Sequence, residues 1–130
     1  MPPDTSSSFN DRSAYYRINV TLPMCLQAAT DDTQGELIEQ SVNLSGGGIG
    51  VMVNTLYEPH DILVLTMCFP DQVLFKASIE VLRLNLIEAH HIRTYRLHAR
   101  FVGMATQNQE RLIQYIMQFQ REHLARHYSA

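Results

Sequence analysis

The chain has 130 residues, a net charge of −3 with its histidines neutral, and a hydrophobic content of 45%. This length and composition fit one domain with a core of ordinary size. Because no run of Lys and Arg appears, the sequence argues against binding to long DNA or RNA, whereas a small anionic ligand needs only two or three cations.

The first residues, 1–11, are polar and rich in Pro and Ser, which predicts a flexible N-terminal tail. They lack the charged and apolar regions of a signal peptide. No apolar run approaches the roughly 20 residues that span a bilayer. Cys25 and Cys68 have no metal-ligand spacing and indicate reduced thiols. We therefore expect a cytoplasmic protein without membrane insertion.

Six stretches have the alternating or continuous apolar pattern that is typical of strands. They cover about 18–26, 38–44, 49–53, 62–69, 73–87 and 95–101. Turn signals separate them, among them Gly35, Pro70-Asp71 and a polar loop around His90 and His91. Pro23 cannot donate a backbone hydrogen bond, so we predict an edge or a bulge at that point of the first strand.

After the last strand the apolar period changes from two to about 3.6, which indicates a helix over about 107–127. Thr106 followed by Gln109 resembles a capping box. The apolar residues of this helix cover an arc of roughly 200°, wider than one core-facing stripe. Either the helix lies deep in a groove or one flank meets another chain, which would allow a homodimer. Strands joined by short turns and followed by one helix predict a small antiparallel barrel.

The segment Asn43-Leu44-Ser45-Gly46-Gly47-Gly48 interrupts the strand pattern with three glycines, which are costly inside a strand. It is not a P-loop, because no Gly-Lys-Ser/Thr and no helix follow. It is not a dinucleotide fingerprint either, because the third glycine position falls on Val51 or Val53. Two interpretations remain open: a glycine bulge that bends a barrel strand sharply, or a place where a ligand approaches the backbone closely.

Polar residues near the glycines favour a ligand site. Asn43 and Ser45 are two apart on a strand, so they should point to the same face, and together they offer the donors and acceptors that match a purine edge. Upstream, Arg12 and Arg17 flank a short polar and aromatic loop. Guanidinium groups bind phosphate in fork geometry and stack on purines. The combination predicts a nucleotide clamp.

This combination resembles the PilZ domain, the bacterial receptor module for cyclic di-GMP. The family pattern is R-x-x-x-R before the first strand and D/N-x-S-x-x-G at the end of the second. The stretches Y-R-L-H-A-R-F-V-G-M and E-R-L-I-Q-Y-I-M-Q-F-Q-R-E also look like the final strand and the C-terminal helix of the family. The resemblance covers about residues 12–122. It implies a mainly β fold: a six-stranded antiparallel barrel of the split-barrel type with a C-terminal helix, here a barrel at about 17–104 within a single domain at 12–127.

The resemblance also implies a cyclic di-GMP site at the motif positions. These positions are Arg12, Arg17, Asn43, Ser45 and Gly48, with Ser13, Gly46 and Gly47 as additional contacts. Ser13 stands four residues before Arg17, where the family pattern has arginine. Arg12 takes the neighbouring place, at which many members carry an extra arginine.

The resemblance implies a binding module rather than an enzyme, with no cofactor and no metal. The sequence agrees, because the adjacent His90 and His91 have no ligand spacing and no G-x-S-x-G surrounds Ser45. The expected function is a cyclic di-GMP effector whose N-terminal arm becomes ordered on binding and signals to a protein partner in motility, pilus or biofilm control. The alternative is an adaptor of the same fold that does not bind the nucleotide and acts through protein contacts.

Arg96 and Arg100 share one face of the last predicted strand. A solvated exterior face is the simple interpretation. The functional one is an additional phosphate contact, provided that this face adjoins the arginine loop. We do not include either residue among the predicted site residues.

Overall fold

The computed structural model describes residues 16–31 and 35–128, the last five of them by their backbone alone. The predicted tail and the start of the predicted domain lie outside these ranges, so the domain bounds stay predictions. The described elements are β1 (Ile18–Ala28), β2 (Ile38–Leu44), β3 (Gly48–Val53), β4 (Ile62–Cys68), β5 (Leu74–Ala89), β6 (Ile92–Gly103) and helix α1 (Thr106–Tyr128).

The six strands form a closed barrel in the order β1-β2-β3-β6-β5-β4, with every neighbouring pair antiparallel. This confirms the predicted fold class. Closure requires β1 to exchange partners: it pairs with β2 up to Met24 and with β4 from Met24 onward. Pro23 therefore has a paired strand on the β2 side only, which agrees with the predicted edge.

Every second residue of each strand points inward, and these side chains fill the interior of the barrel, in keeping with the apolar period of two in the sequence. Leu65, Phe75, Ile79 and Leu97 are completely buried there. Thr66 is also buried, but it pairs with Cys25 and Lys76 and so lies on the other face of β4, and its Oγ1 has no hydrogen-bond partner among the described residues.

Helix α1 packs on the barrel next to β5 and β1. Leu112 and Ile116 are completely or almost completely buried, whereas Met117 is 40% exposed. The Gln109 N–H donates to the carbonyl oxygen of Ala105 (3.0 Å), which makes Thr106 the first helical residue and replaces the predicted capping box. The wide apolar arc is thus divided between one buried stripe and a more open flank.

Strands β5 and β6 continue as a long hairpin that is paired up to Ala89 and Ile92. The predicted strands were shorter and left a polar loop around the two histidines. Instead, His90 and His91 form a two-residue turn with φ values of 52° and 67°. Two consecutive left-handed residues match the twist of a tight hairpin, and histidine adopts this region more readily than most residues.

Both cysteines are unpaired and only half-buried. Within the part of the chain that the structure describes, no helix is both long enough and apolar enough to cross a membrane.

Candidate ligand-binding site

One row of residues crosses the outer surface of the barrel beside the β2–β3 turn. The register places its members opposite one another on five successive strands: Asn19, Asn43, Gly50, His98 and Arg83. Directly opposite residues of antiparallel strands lie on the same face and within reach of each other. We call these five residues the polar row.

Arg17 and Asn43 meet at one end of the polar row. The Arg17 Nη1 donates to Asn43 Oδ1 (3.0 Å), and the Asn43 Nδ2 donates to Asn19 Oδ1 (3.0 Å). Both halves of the Asn43 carboxamide are therefore engaged, and Asn19 fixes the orientation that lets Asn43 accept from Arg17. The motifs in the sequence predict a joint role for Arg17 and Asn43 but do not include Asn19.

Ser45 lies one residue beyond the end of β2, where strand alternation no longer sets its direction. The side chain is buried, at 2% exposure, and its Oγ accepts hydrogen bonds from the N–H groups of Gly47 (3.2 Å) and Gly48 (3.1 Å). The Ser45 N–H donates to the Gly48 carbonyl (3.0 Å), which closes the turn. The hydroxyl thus holds the glycine turn together instead of pointing outward beside Asn43. A contact between Ser45 and a ligand stays a prediction.

The glycine turn reverses the chain completely between β2 and β3. No described glycine has a positive φ, so these residues do not serve a left-handed backbone here. A Cβ on Gly48 would instead collide with the carbonyl oxygen of Ala99 on β6, whereas a Cβ on Gly50 would approach Asn43 Cβ only to 3.6 Å. Gly48 therefore permits the close approach of β3 to β6. The Phe101 N–H donates to the Gly47 carbonyl (3.0 Å) and attaches the turn to the same strand.

His98 is the half-buried member of the polar row, and it is surrounded by cations. Burial lowers the pKa of His98 below its usual 6.5, and the charges of Arg83, Arg96 and Arg17 lower it further. Arg83 and Arg96 are exposed and have no ion-pair partner among the described residues. This part of the surface therefore carries positive charge that no carboxylate of the described residues neutralises.

Arg100, the other arginine noted on β6, has a different environment. Its Nε and Nη2 contact Glu80 Oε1 at 2.7 and 2.6 Å, and His60 Nδ1 contacts Glu80 Oε2 at 2.8 Å. Hydrogen bonds from His60 and Arg100 lower the pKa of Glu80, so the carboxylate stays charged and is shared by its two partners. Arg100 is thus held and largely neutralised on the protein itself.

The structure brings together most of the residues that the sequence singles out. Arg17 and Asn43 are hydrogen-bonded, and Ser45, Gly46, Gly47 and Gly48 form the turn beside them. Arg12 and Ser13 lie outside the described residues, so their predicted contacts stay predictions. Asn19, Arg83 and His98 were missed, and only the cross-strand register places them next to the motif. The described residues contain no group of three or more His, Cys, Asp or Glu side chains that could hold a metal ion.

Comparisons with known proteins give a family and a fold. The PilZ domain model matches residues 11–118, and no curated protein matches in sequence. Among solved structures, the PilZ domain with c-di-GMP of YcgR from Escherichia coli has a TM-score of 0.62 at 16% identity, covering 92% of this chain and 99% of that one. A Xanthomonas campestris protein described as a tetrameric PilZ domain self-assembled via a helical bundle has a TM-score of 0.66 at 14% identity, covering 93% and 99%.

The Bacillus subtilis inhibitor of motility, MotI, has a TM-score of 0.64 at 20% identity. The alignment covers 85% of this chain and 52% of MotI, so the chain spans about half the length of that protein. At such identities the structural likeness establishes the fold, and the family match over most of the chain establishes the membership predicted from the motifs. The chain belongs to the PilZ domain family.

Proposed function

We propose that this chain is a receptor for cyclic di-GMP, that it binds the nucleotide on the outer face of the barrel beside the β2–β3 turn, and that it acts by binding rather than by catalysis. The observation that supports this most is the hydrogen-bonded series Arg17–Asn43–Asn19 next to the glycine turn. It holds a guanidinium group at the edge of an open basic face. The family membership and the E. coli PilZ domain with c-di-GMP support the choice of ligand.

The Arg17 guanidinium has hydrogen-bonding capacity left for a ligand. Only its Nη1 contact to Asn43 occurs in the described structure, and a guanidinium has five N–H donors. Arg17 can therefore keep its bond to Asn43 and present a second edge to a phosphate or to guanine O6 and N7. Asn43 Oδ1 likewise has a second lone pair for a guanine N–H.

Arg12 and the N-terminal arm complete the proposal. Arg12 supplies a second guanidinium from the segment before β1, with Ser13 as an additional contact. Binding orders this arm against the barrel and creates a surface for a cytoplasmic protein partner in motility, pilus or biofilm control. The Bacillus subtilis relative, an inhibitor of motility, supports a partner of this kind. Hydrogen exchange of residues 9–17 measures the ordering, and unchanged exchange at saturating ligand would rule it out.

The test of the binding function is calorimetric titration with cyclic di-GMP, alongside GTP and cyclic GMP, on the wild type and Arg17→Ala. We expect selective binding of cyclic di-GMP and a loss of roughly ten- to hundredfold in affinity, since one charge-assisted hydrogen bond contributes about 1.5–3 kcal/mol. Arg93→Ala is the matched control. Arg93 is likewise an exposed arginine, but it lies on β6 near the hairpin tip, where it contacts Glu88 at 3.8 Å. Equal loss in both variants would mean that net charge alone determines the affinity.

A second candidate function is a PilZ-fold adaptor that acts through protein contacts without the nucleotide. A groove beside α1 favours it: this groove of about 380 Å³ lies between the helix and the β4–β5 turn and is lined among others by Phe69, Tyr115 and Phe119. The helical bundle of the Xanthomonas campestris relative supports self-association of this kind. Light scattering distinguishes the two, because the adaptor through α1 predicts a dimer or larger assembly in the absence of nucleotide.

A further inference from the structure

We propose that Arg83, Arg96 and His98 form a second anion-binding part of the same site, and that His98 takes up a proton when a ligand phosphate binds there. This inference rests on the proposed function, because the ligand is the same nucleotide. It adds residues on β5 and β6 to the motif residues around β1 and β2. It also makes the affinity depend on pH in the physiological range.

The first support is the register across the barrel. His98 and Asn43 lie opposite Gly50 from its two sides, and Arg83 lies opposite His98. A Cβ on Gly50 would be 3.6 Å from Asn43 Cβ and 3.8 Å from His98 Nδ1. Only the backbone of Gly50, which has no side chain, therefore separates the motif residue Asn43 from the imidazole of His98. A ligand that contacts Asn43 and spans two strands reaches His98.

The second support is the distribution of charge. Arg83 and Arg96 have no carboxylate partner in the described part of the chain, although the whole sequence is acidic, with a net charge of −3. The other two arginines of β6 do have carboxylate partners: Arg93 contacts Glu88 and Arg100 contacts Glu80. Unneutralised guanidinium groups beside a phosphate-binding clamp suit a ligand with two phosphodiester groups, since each phosphodiester carries one negative charge.

The groups that face His98 decide its protonation. Among the described residues they are Arg17 before β1, Asn43 on β2, Gly50 on β3, Arg83 on β5, and Arg96 and Arg100 on β6, with Glu80 and His60 beyond Arg100. None of these described groups is a free carboxylate, so they favour a neutral imidazole in the unliganded site. A phosphate reverses this balance, because a nearby anion stabilises the imidazolium.

The direction of the pH effect follows from linkage. The pKa of His98 is below its usual value in the free protein and rises when the anion binds. The complex therefore holds more protons than the free protein between the two pKa values, and affinity falls as pH rises through that window. One coupled proton changes affinity by at most tenfold per pH unit, so we expect binding about five- to tenfold tighter near pH 6 than near pH 8.

The experiment is calorimetric titration with cyclic di-GMP at about pH 6, 7 and 8. Near pH 7 the titration is repeated in two buffers of different ionisation enthalpy, because the difference in heat measures proton uptake directly. Wild type should take up protons on binding, and His98→Gln should bind without uptake and with little dependence on pH. His60→Gln is the matched control, because His60 contacts Glu80 and not the polar row. Arg96→Ala should weaken binding about tenfold, while Arg93→Ala should change it little.

Each outcome has one meaning. Proton uptake that disappears in His98→Gln but persists in His60→Gln supports the inference. Wild-type binding that is independent of pH, or uptake that survives in His98→Gln, overturns it and leaves the proposed function standing. No binding by the folded wild type at any pH overturns the proposed function and the inference with it. Equal effects of Arg96→Ala and Arg93→Ala overturn the assignment of Arg96 to the site.

Discussion

The outer face at the polar row and the flank of helix α1 are both open surfaces, but their side chains are held in different ways. On the outer face, hydrogen bonds orient Asn43 and Arg17, and two arginines stay without carboxylate partners in the described structure. On the helix flank, aromatic contact dominates: Phe69 and Tyr115 stack with centroids 4.8 Å apart.

This difference indicates what each surface is suited for. Oriented donors and unneutralised cations match a small, doubly charged ligand, because little reorganisation is needed on binding. Half-buried aromatic side chains in a groove match packing against apolar groups. A nucleotide should therefore select the outer face, and the helix should contribute mainly to stability.

The largest effect expected is from truncation of the buried helix stripe. Leu112→Ala should lower the free energy of unfolding by about 2–5 kcal/mol, because it removes a completely buried side chain and leaves a cavity. The affinity of the folded protein for cyclic di-GMP should not change. Urea denaturation measures the first and calorimetry the second. Met117→Ala, on the exposed side of the same helix, is the control and should cost about 0.5 kcal/mol or less. A stable Leu112→Ala would mean that the helix does not pack as described.

The next effect concerns the close approach of β3 to β6. Gly48→Ala should lower the free energy of unfolding by about 1–3 kcal/mol, since the new methyl group meets the backbone carbonyl of Ala99, which cannot move aside alone. Gly50→Ala is the matched control on the same strand, with 3.6 Å to its nearest neighbour. Thermal melting of the two variants measures the difference. Equal stability would contradict the close contact.

A smaller effect is expected where Asn19 positions Asn43. Asn19→Ala removes one partner of the Asn43 carboxamide, so we expect cyclic di-GMP binding to weaken by about two- to tenfold, as for one neutral hydrogen bond. Calorimetry measures this change. Thr21→Ala changes the next outward residue of β1 and is the control, which should leave the affinity unchanged. An unchanged affinity in Asn19→Ala would mean that Asn43 does not need the hydrogen bond to Asn19. Asn19→Gln, which can still accept from Asn43, should restore part of the affinity.

The smallest effect is on stability in mild acid. Because the folded chain lowers the pKa of His98, the unfolded chain binds more protons, and His98 makes the protein less stable as pH falls below about 6.5. His98→Gln should therefore lose less stability than wild type between about pH 7.5 and 5.5. Melting curves across this range measure the difference. A greater acid loss in the variant would contradict the cationic surroundings of His98.

The sequence pattern was sufficient for the barrel but not for its hairpin. The alternation of apolar residues in β1 and β5 follows directly from burial of one face, so the strands could be found from their period. The ends of β5 and β6 could not, because His90-His91 is not a typical sequence for a two-residue hairpin turn, which favours Asn and Gly. The register shift between Val81 and Arg83 likewise has no glycine or proline to indicate it.

Only those residues of the candidate site that belong to local sequence motifs could be predicted. Arg17 and Asn43 were correctly expected to lie together, since both belong to short motifs with a known spatial relation. Ser45 was predicted to point to the same face as Asn43, because the two residues are two apart on a strand. The strand ends at Leu44, however, and the Ser45 hydroxyl accepts a hydrogen bond from the glycine turn instead. Asn19, Arg83 and His98 depend on which residue lies opposite which, and a sequence pattern of period two does not contain that register.

The most direct measurement is amide chemical-shift mapping of the labelled protein titrated with cyclic di-GMP. We expect the largest shifts at Asn19, Asn43, Gly48, Gly50 and His98, on the strands that carry the polar row. We expect small shifts at Tyr115 and Phe119, which line the groove beside α1. Shifts concentrated along this groove, with the polar row unchanged, would contradict the assignment of the nucleotide to the outer face.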